Sequence, residues 1–113
     1  MHELSLMEQV LDIAVNTARQ DGAEHIHTIT LRVGKLSGVV PEALEFAFEA
    51  LSADTIAKGG GLHIEAVPVI CYCAACKSEF EPESIFYKCP ACQQPSSSIV
   101  QGREFNVTAV EVS

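Results

Sequence analysis

Two short stretches, CAAC at 73–76 and CPAC at 89–92, constrain this chain more than any other feature. A CxxC turn brings two sulfurs to adjacent corners of a tetrahedron, and two such turns facing each other complete it, as Zn2+ with soft thiolate ligands prefers. Cys73, Cys76, Cys89 and Cys92 are therefore expected to form a four-cysteine zinc-ribbon site. Four protein ligands leave no open position for water, so the site is structural and not catalytic, and it folds a segment too poor in apolar residues to fold alone. Iron in a rubredoxin-like site takes the same ligands, and spacing alone leaves that alternative open. Cys71 stands outside both pairs and is expected to pack as a small hydrophobe or a partly exposed thiol.

All five cysteines fall between positions 71 and 92. An odd, clustered set makes a poor disulfide framework and a good metal cluster in a reducing compartment. With 15 acidic against 7 basic side chains the net charge is -8, which lacks the basic footprint needed for nucleic acid phosphates. Partners are expected to be proteins, small cations or basic patches on other proteins. No run of eighteen apolar residues and no signal-peptide pattern occurs, so no membrane span and a cytoplasmic location are expected. At 113 residues the chain is one domain or one domain with a small module, burying roughly 65% of its unfolded surface.

Periodicity supplies the elements. In LSLMEQVLDIAVNTARQDG, Met7, Val10, Leu11, Ala14 and Ala18 recur at helical spacing, Ser5 and Glu8 fit a capping box, and Gly22 ends the last turn. HIHTITLRVG alternates Ile29, Leu31 and Val33 against Thr28, Thr30 and Arg32 and predicts a half-buried strand ending at Gly34. After a turn at Ser37 and Gly38, Pro41 suits a first helical position, and Val40, Leu44, Ala47, Phe48 and Leu51 form a stripe. LHIEAVPVI alternates Leu62, Ile64 and Ala66 against His63 and Glu65 until Pro68 limits pairing, predicting a strand near an edge. QQPSSS at 93–98 predicts a loop, and REFNVTAVEV a last strand with Phe105, Val107 and Ala109 on one face. The expected fold is α+β: two helices packed on a small three-stranded sheet, residues 1–70 plus 97–113, with the four-cysteine zinc-ribbon module inserted at 71–96.

The chain begins MHEL. Methionine removal generally requires a small second residue, so Met1 is expected to stay and leave its amine free ahead of His2. The Met1 amine and the His2 amide nitrogen would close a five-membered ring on a metal, and the His2 amide and ring Nδ1 a six-membered one. This three-nitrogen planar clamp suits Ni2+ or Cu2+ better than tetrahedral Zn2+. The Glu3 carboxylate or backbone amide lies close enough to supply a fourth donor.

MHELSLMEQVL, VGKLSGVVPEALEFAFE, the paired CxxC turns with CPAC, and the closing GREFNVTAVEV together resemble the HypA/HybF family of hydrogenase maturation nickel metallochaperones, end to end. The resemblance implies a nickel site at His2 with the Met1 amine and Glu3, in residues 1–70 plus 97–113. It implies structural zinc on Cys73, Cys76, Cys89 and Cys92, in residues 71–96. It also implies a carrier that delivers Ni2+ during [NiFe]-hydrogenase maturation, with a HypB-type nickel GTPase and the hydrogenase large subunit as partners. One departure is Gln93, directly after CPAC, where a knuckle often has glycine; its side chain enters a turn that wants φ > 0. The alternative function is a zinc-ribbon protein-interaction module in which His2 is idle. An enzyme is not expected, because no nucleophile, base and orienting group cluster at a shared spacing. His25, His27 and His63 fit surface or half-buried strand positions, and Glu42, Glu45 and Glu49 fit a solvated helix face. A homodimer by strand exchange is conceivable from the KGGG connector and the terminal strand.

Overall fold

A computed structural model describes residues 2–82, 87–95 and 98–113 of the protein. Met1, the amine donor of the expected clamp, lies outside them, as do residues 96 and 97 of the expected loop. The elements run α1 (His2–Gln20), β1 (Ile26–Gly34), α2 (Pro41–Ser52), β2 (Gly61–Val67), β3 (Ile70–Cys73), β4 (Ser78–Phe80), β5 (Ser98–Gln101) and β6 (Phe105–Val112). The strands form two three-stranded sheets, ordered β2-β1-β6 and β4-β3-β5. Two compact units result: one is Met1–Arg32, Gly38–Glu65 and Asn106–Ser113, the other Val33–Ser37 and Ala66–Phe105. Two helices with a three-stranded sheet are the α+β arrangement that the periodicity predicts. The second sheet, built around the cysteines, goes beyond that expectation.

In the first unit α1 packs against α2. The helical stripe is buried as its spacing requires: Met7, Val10, Leu11, Ala14 and Ala18 all lose their exposure. Gly22, at φ 72°, closes the helix. The Gly22 N–H donates to the Arg19 carbonyl and the Ala23 N–H to the Ala18 carbonyl, a paired closure that satisfies carbonyls the helix leaves free. The start differs from the expected capping box. The helix begins at His2, three residues before Ser5, which lies exposed within it. Glu3 explains this: its carboxylate, in the first turn, accepts its own backbone N–H and interacts with the positive helix end.

The central strand buries Ile26, Ile29 and Leu31. Around α2, Leu44, Ala47 and Phe48 are buried and Leu51 is half-buried, but Val40 is 50% exposed. Val40 is the N-cap, in extended conformation, so its side chain does not follow the helical stripe. No side chain of its own caps this helix; the Glu3 carboxylate accepts the Val40 N–H at 3.3 Å instead.

The outer strands hold a second correction. In β6, Phe105 and Val107 are half-buried as predicted, but Ala109 is exposed and Val110 and Val112 turn inward. In β2, Leu62 and Ile64 are half-buried, Ala66 is exposed, and Val67 is buried. In each strand the alternation slips by one residue at an alanine, and the larger valine beyond it takes the inward position, where it removes more apolar surface from water. β2 is an edge strand, as Pro68 predicts.

In the second unit β3 is central. It pairs antiparallel with β4 (Cys71 with Phe80, Cys73 with Ser78) and with β5 (Cys71 with Ile99, Tyr72 with Ser98). Buried Cys71, Cys73, Phe80 and Cys89 form a small core, joined by Val69, Tyr87, Cys92 and Ile99. Gly34 and Gly102 let two backbones meet here: the Gly34 N–H donates to the Glu104 carbonyl and the Leu36 N–H to the Gly102 carbonyl, each at 2.7 Å. A Cβ on Gly34 would collide with the Gly102 carbonyl and come within 2.7 Å of the Arg103 nitrogen.

Candidate metal centre

Cys73 closes β3, and Cys76 follows in the turn to β4. Cys89 and Cys92 sit in a second turn braced by an isolated bridge between Lys88 and Pro95. The two turns meet: all four Sγ atoms lie within 4.8 Å of one another, with Cys73 and Cys92 sulfurs 3.5 Å apart and Cys76 and Cys89 sulfurs 3.9 Å apart. Four sulfurs at a Zn–S distance of about 2.3 Å stand about 3.8 Å apart in a tetrahedron. The observed separations fit a single tetrahedral ion without a change of backbone.

Backbone N–H groups close each turn. The Cys76 N–H points at the Cys73 sulfur, and the Gln93 N–H donates to the Cys89 carbonyl at 2.8 Å while the Cys89 N–H donates to the Gln94 carbonyl. The residue directly after each pair is left-handed: Lys77 at φ 55° and Gln93 at φ 66°. The expectation for Gln93 therefore holds, and Lys77 shares it. A side chain in this region is strained, so Gln93→Gly is expected to retain the metal and raise the unfolding free energy by about 1 kcal/mol at most, with a slightly higher thermal midpoint. Gln93→Val should lower it, because a β-branched residue suits this conformation least. Differential scanning calorimetry separates the two.

Charge decides what the cluster needs. The Cys92 and Ala91 N–H groups stabilise a thiolate on Cys89 and draw its pKa down to about 7. Neighbouring sulfurs, Cys92 first and then Cys73 and Cys89, push Cys76 up to about 12. At Cys92 the Gln94 N–H favours the thiolate, but the Cys73 sulfur, burial and the Cys89 sulfur together outweigh it and the pKa rises. The Cys89 thiolate forms easily while Cys76 and Cys92 resist, since hydrogen bonds among neighbouring sulfurs favour their protonated forms. A dication reverses that balance, so the donor set fits Zn2+ and metal entry must expel protons.

Cys71 is fully buried beneath this centre, and burial raises its pKa. It packs as a small apolar residue and adds no sulfur to the cluster. The sequence motif did not reveal the apolar floor that Cys71, Phe80, Tyr87 and Ile99 provide, because their spacing is interrupted by the turns.

The second candidate group lies at the start of α1. His2 is the first helical residue described, and its side chain is 61% exposed. Its Nδ1 stands 3.9 Å from Glu3 Oε2. Ligand atoms about 2.0–2.1 Å from one metal lie about 3 Å apart when adjacent, so a small side-chain rotation would bring these two donors onto one ion. The first four N–H groups of a helix have no carbonyl partner within it, so the His2 amide can ligate without breaking a helical bond. Glu3 is held below the usual carboxylate range by its own N–H, then by the Val40 N–H, and also by His2. His25 and His27 are exposed, with ring centroids 5.5 Å apart and His27 Nε2 at 2.7 Å from Ser113 Oγ. His63 is exposed on β2. Among the described residues, the four cysteines form the sole group of three or more metal-ligating side chains within reach of one ion.

The family model described as "Hydrogenase/urease nickel incorporation, metallochaperone, hypA" matches residues 1–112. A hydrogenase maturation factor HypA from Picosynechococcus sp. is 46% identical over 112 residues, covering 99% of both chains. Another from Geobacter metallireducens is 41% identical with the same coverage. The solution structure of the Ni metallochaperone HypA from Helicobacter pylori superposes with a TM-score of 0.66 at 22% identity, covering 97% of this chain and 96% of that one. A second HypA solution structure gives a TM-score of 0.75 at 23% identity, covering 100% and 97%. At these identities the two structures establish the fold.

Proposed function

The chain belongs to the HypA family of nickel-incorporation metallochaperones, and from that premise we propose that it carries Ni2+ at its N-terminus and delivers it during [NiFe]-hydrogenase maturation. The observation that supports this most is the exposed His2 beside the half-buried Glu3 at the start of α1, in a chain that matches the family over residues 1–112. The Met1 amine, the His2 amide and His2 Nδ1 supply three planar nitrogens, and Glu3 the fourth donor. Glu3 Oε2 both accepts the Val40 N–H and faces His2 Nδ1, and its second lone pair can take the ion while that bond stays in place.

Affinity here is moderate by construction. The positive end of α1 opposes a cation, the Glu3 carboxylate offsets it, and exposure lets an acceptor's ligands attack the ion directly. A carrier needs that, because a site that binds too tightly cannot release its metal. The zinc cluster holds the second unit folded as a partner surface. A HypB-type GTPase and the hydrogenase large subunit are the partners in this reading, and the cytoplasm is its location. The protein itself performs no bond-making chemistry.

Calorimetric titration of Ni2+ into untagged, zinc-loaded protein is expected to show one equivalent bound per chain at neutral pH. Imidazole and α-amine must both shed protons to bind, so affinity should fall steeply below about pH 6. An isotherm unchanged between pH 7.5 and 5.5 would exclude both groups as donors. Absence of a nickel equivalent beyond the zinc would favour the interaction module with an idle His2.

A further inference from the structure

The outer face of α2 carries an arrangement that folding does not explain. Phe46 is 72% exposed, on a helix whose inward positions already bury Leu44, Ala47 and Phe48. Glu42, Glu45 and Glu49 flank it, spaced so that all four side chains share one face. Glu45 and Glu49 are one turn apart, where like charges repel and destabilise a helix. No basic residue sits in the last turn to offset them, and among the described residues none of the three carboxylates has an ion-pair partner. Beside the carboxylates opens a cleft of about 230 Å3, walled by Glu45, Phe48, Glu49, Gly60, Gly61 and Leu62.

We propose that this face docks a basic segment of a protein partner, with an arginine entering the cleft between Glu45 and Glu49 and a neighbouring apolar side chain covering Phe46. A planar guanidinium pairs with carboxylates through parallel N–H donors, and its apolar stem suits the Leu62 and Phe48 wall. An exposed aromatic ringed by charge is the composition of an interface anchor. Glycine lines the cleft where the partner enters: a Cβ on Gly61 would meet nothing within 4 Å. The docking stands independently of where nickel binds.

The test uses full-length, 15N-labelled, nickel-free protein and a blocked twelve-residue peptide of three Leu-Arg-Arg-Leu repeats, followed by amide shifts and fluorescence anisotropy. Saturable binding is expected, with shifts concentrated on residues 42–52 and 60–62. Phe46→Ser, the pair Glu45→Gln with Glu49→Gln, and Gly61→Leu should each weaken it at least tenfold, with unchanged circular dichroism. Replacing arginine by neutral citrulline should abolish it. The control pair Glu8→Gln with Asp12→Asn removes equal charge from α1 and should change affinity less than twofold. The proposal is overturned by lack of saturable binding, by shifts centred elsewhere, or by an equal loss in the control, which would mean diffuse attraction to an acidic protein.

Discussion

Replacing Cys73 or Cys92 by alanine is expected to release the zinc and unfold the second unit while both helices survive. A four-thiolate site contributes on the order of 10 kcal/mol to a small fold, far more than the apolar floor of Cys71, Phe80, Tyr87 and Ile99 supplies. The variant should also leave the remaining sulfurs unable to share charge, since Cys76 already resists ionisation through its neighbours. Elemental analysis should find less than one zinc per chain, and amide exchange at Tyr72, Phe80 and Ile99 should become rapid. Exchange in the α1 core, around Leu11 and Ala14, should stay slow, because those residues belong to the other unit. A variant that keeps one zinc and slow exchange across β3 would overturn the four-thiolate site.

The second large effect needs no side-chain change. Adding one or two residues ahead of Met1 converts its amine to an amide and destroys the five-membered chelate ring. Nickel binding should then collapse, as is also expected for His2→Ala, leaving at most the single-nitrogen affinity of an imidazole. Zinc content, helix content and the thermal midpoint should stay near the parent values, since the His2 side chain is largely exposed and contributes little burial. A C-terminal extension should leave nickel binding intact. Tight binding by the extended protein would move the search to His25, His27, His63 and the acidic side chains.

Much of the fold is readable because its signals are local. The stripe from Met7 to Ala18, the Gly22 stop and Pro41 at the head of α2 each act within one or two turns. What escapes depends on distant partners. The true start of α1 is set by Glu3, whose carboxylate also reaches Val40, 37 positions away. The slips at Ala66 and Ala109 depend on which face the sheet buries, which strict alternation cannot register. The grouping of the four cysteine sulfurs is legible in the sequence, because CxxC spacing encodes turn geometry directly. Its left-handed companion at Lys77 is not, since only Gln93 stands out against a glycine expectation. The face around Phe46 reads in the sequence as a solvated helix surface, for a carboxylate run alone carries no record of the aromatic exposed among them.

The bond from the Val40 N–H to Glu3 ties the opening turn of α2 to the residue beside the proposed nickel donor. α2 then presents Glu42, Glu45 and Phe46 just downstream of that tie. If nickel binds at His2 and a partner docks on α2, the two events belong to one thermodynamic linkage. To whatever extent filling the N-terminal site alters the grip on Val40, a partner that seizes α2 must alter the hold on the ion by the same free energy. Reciprocity of this kind would let the acceptor itself, by binding, set the moment of release.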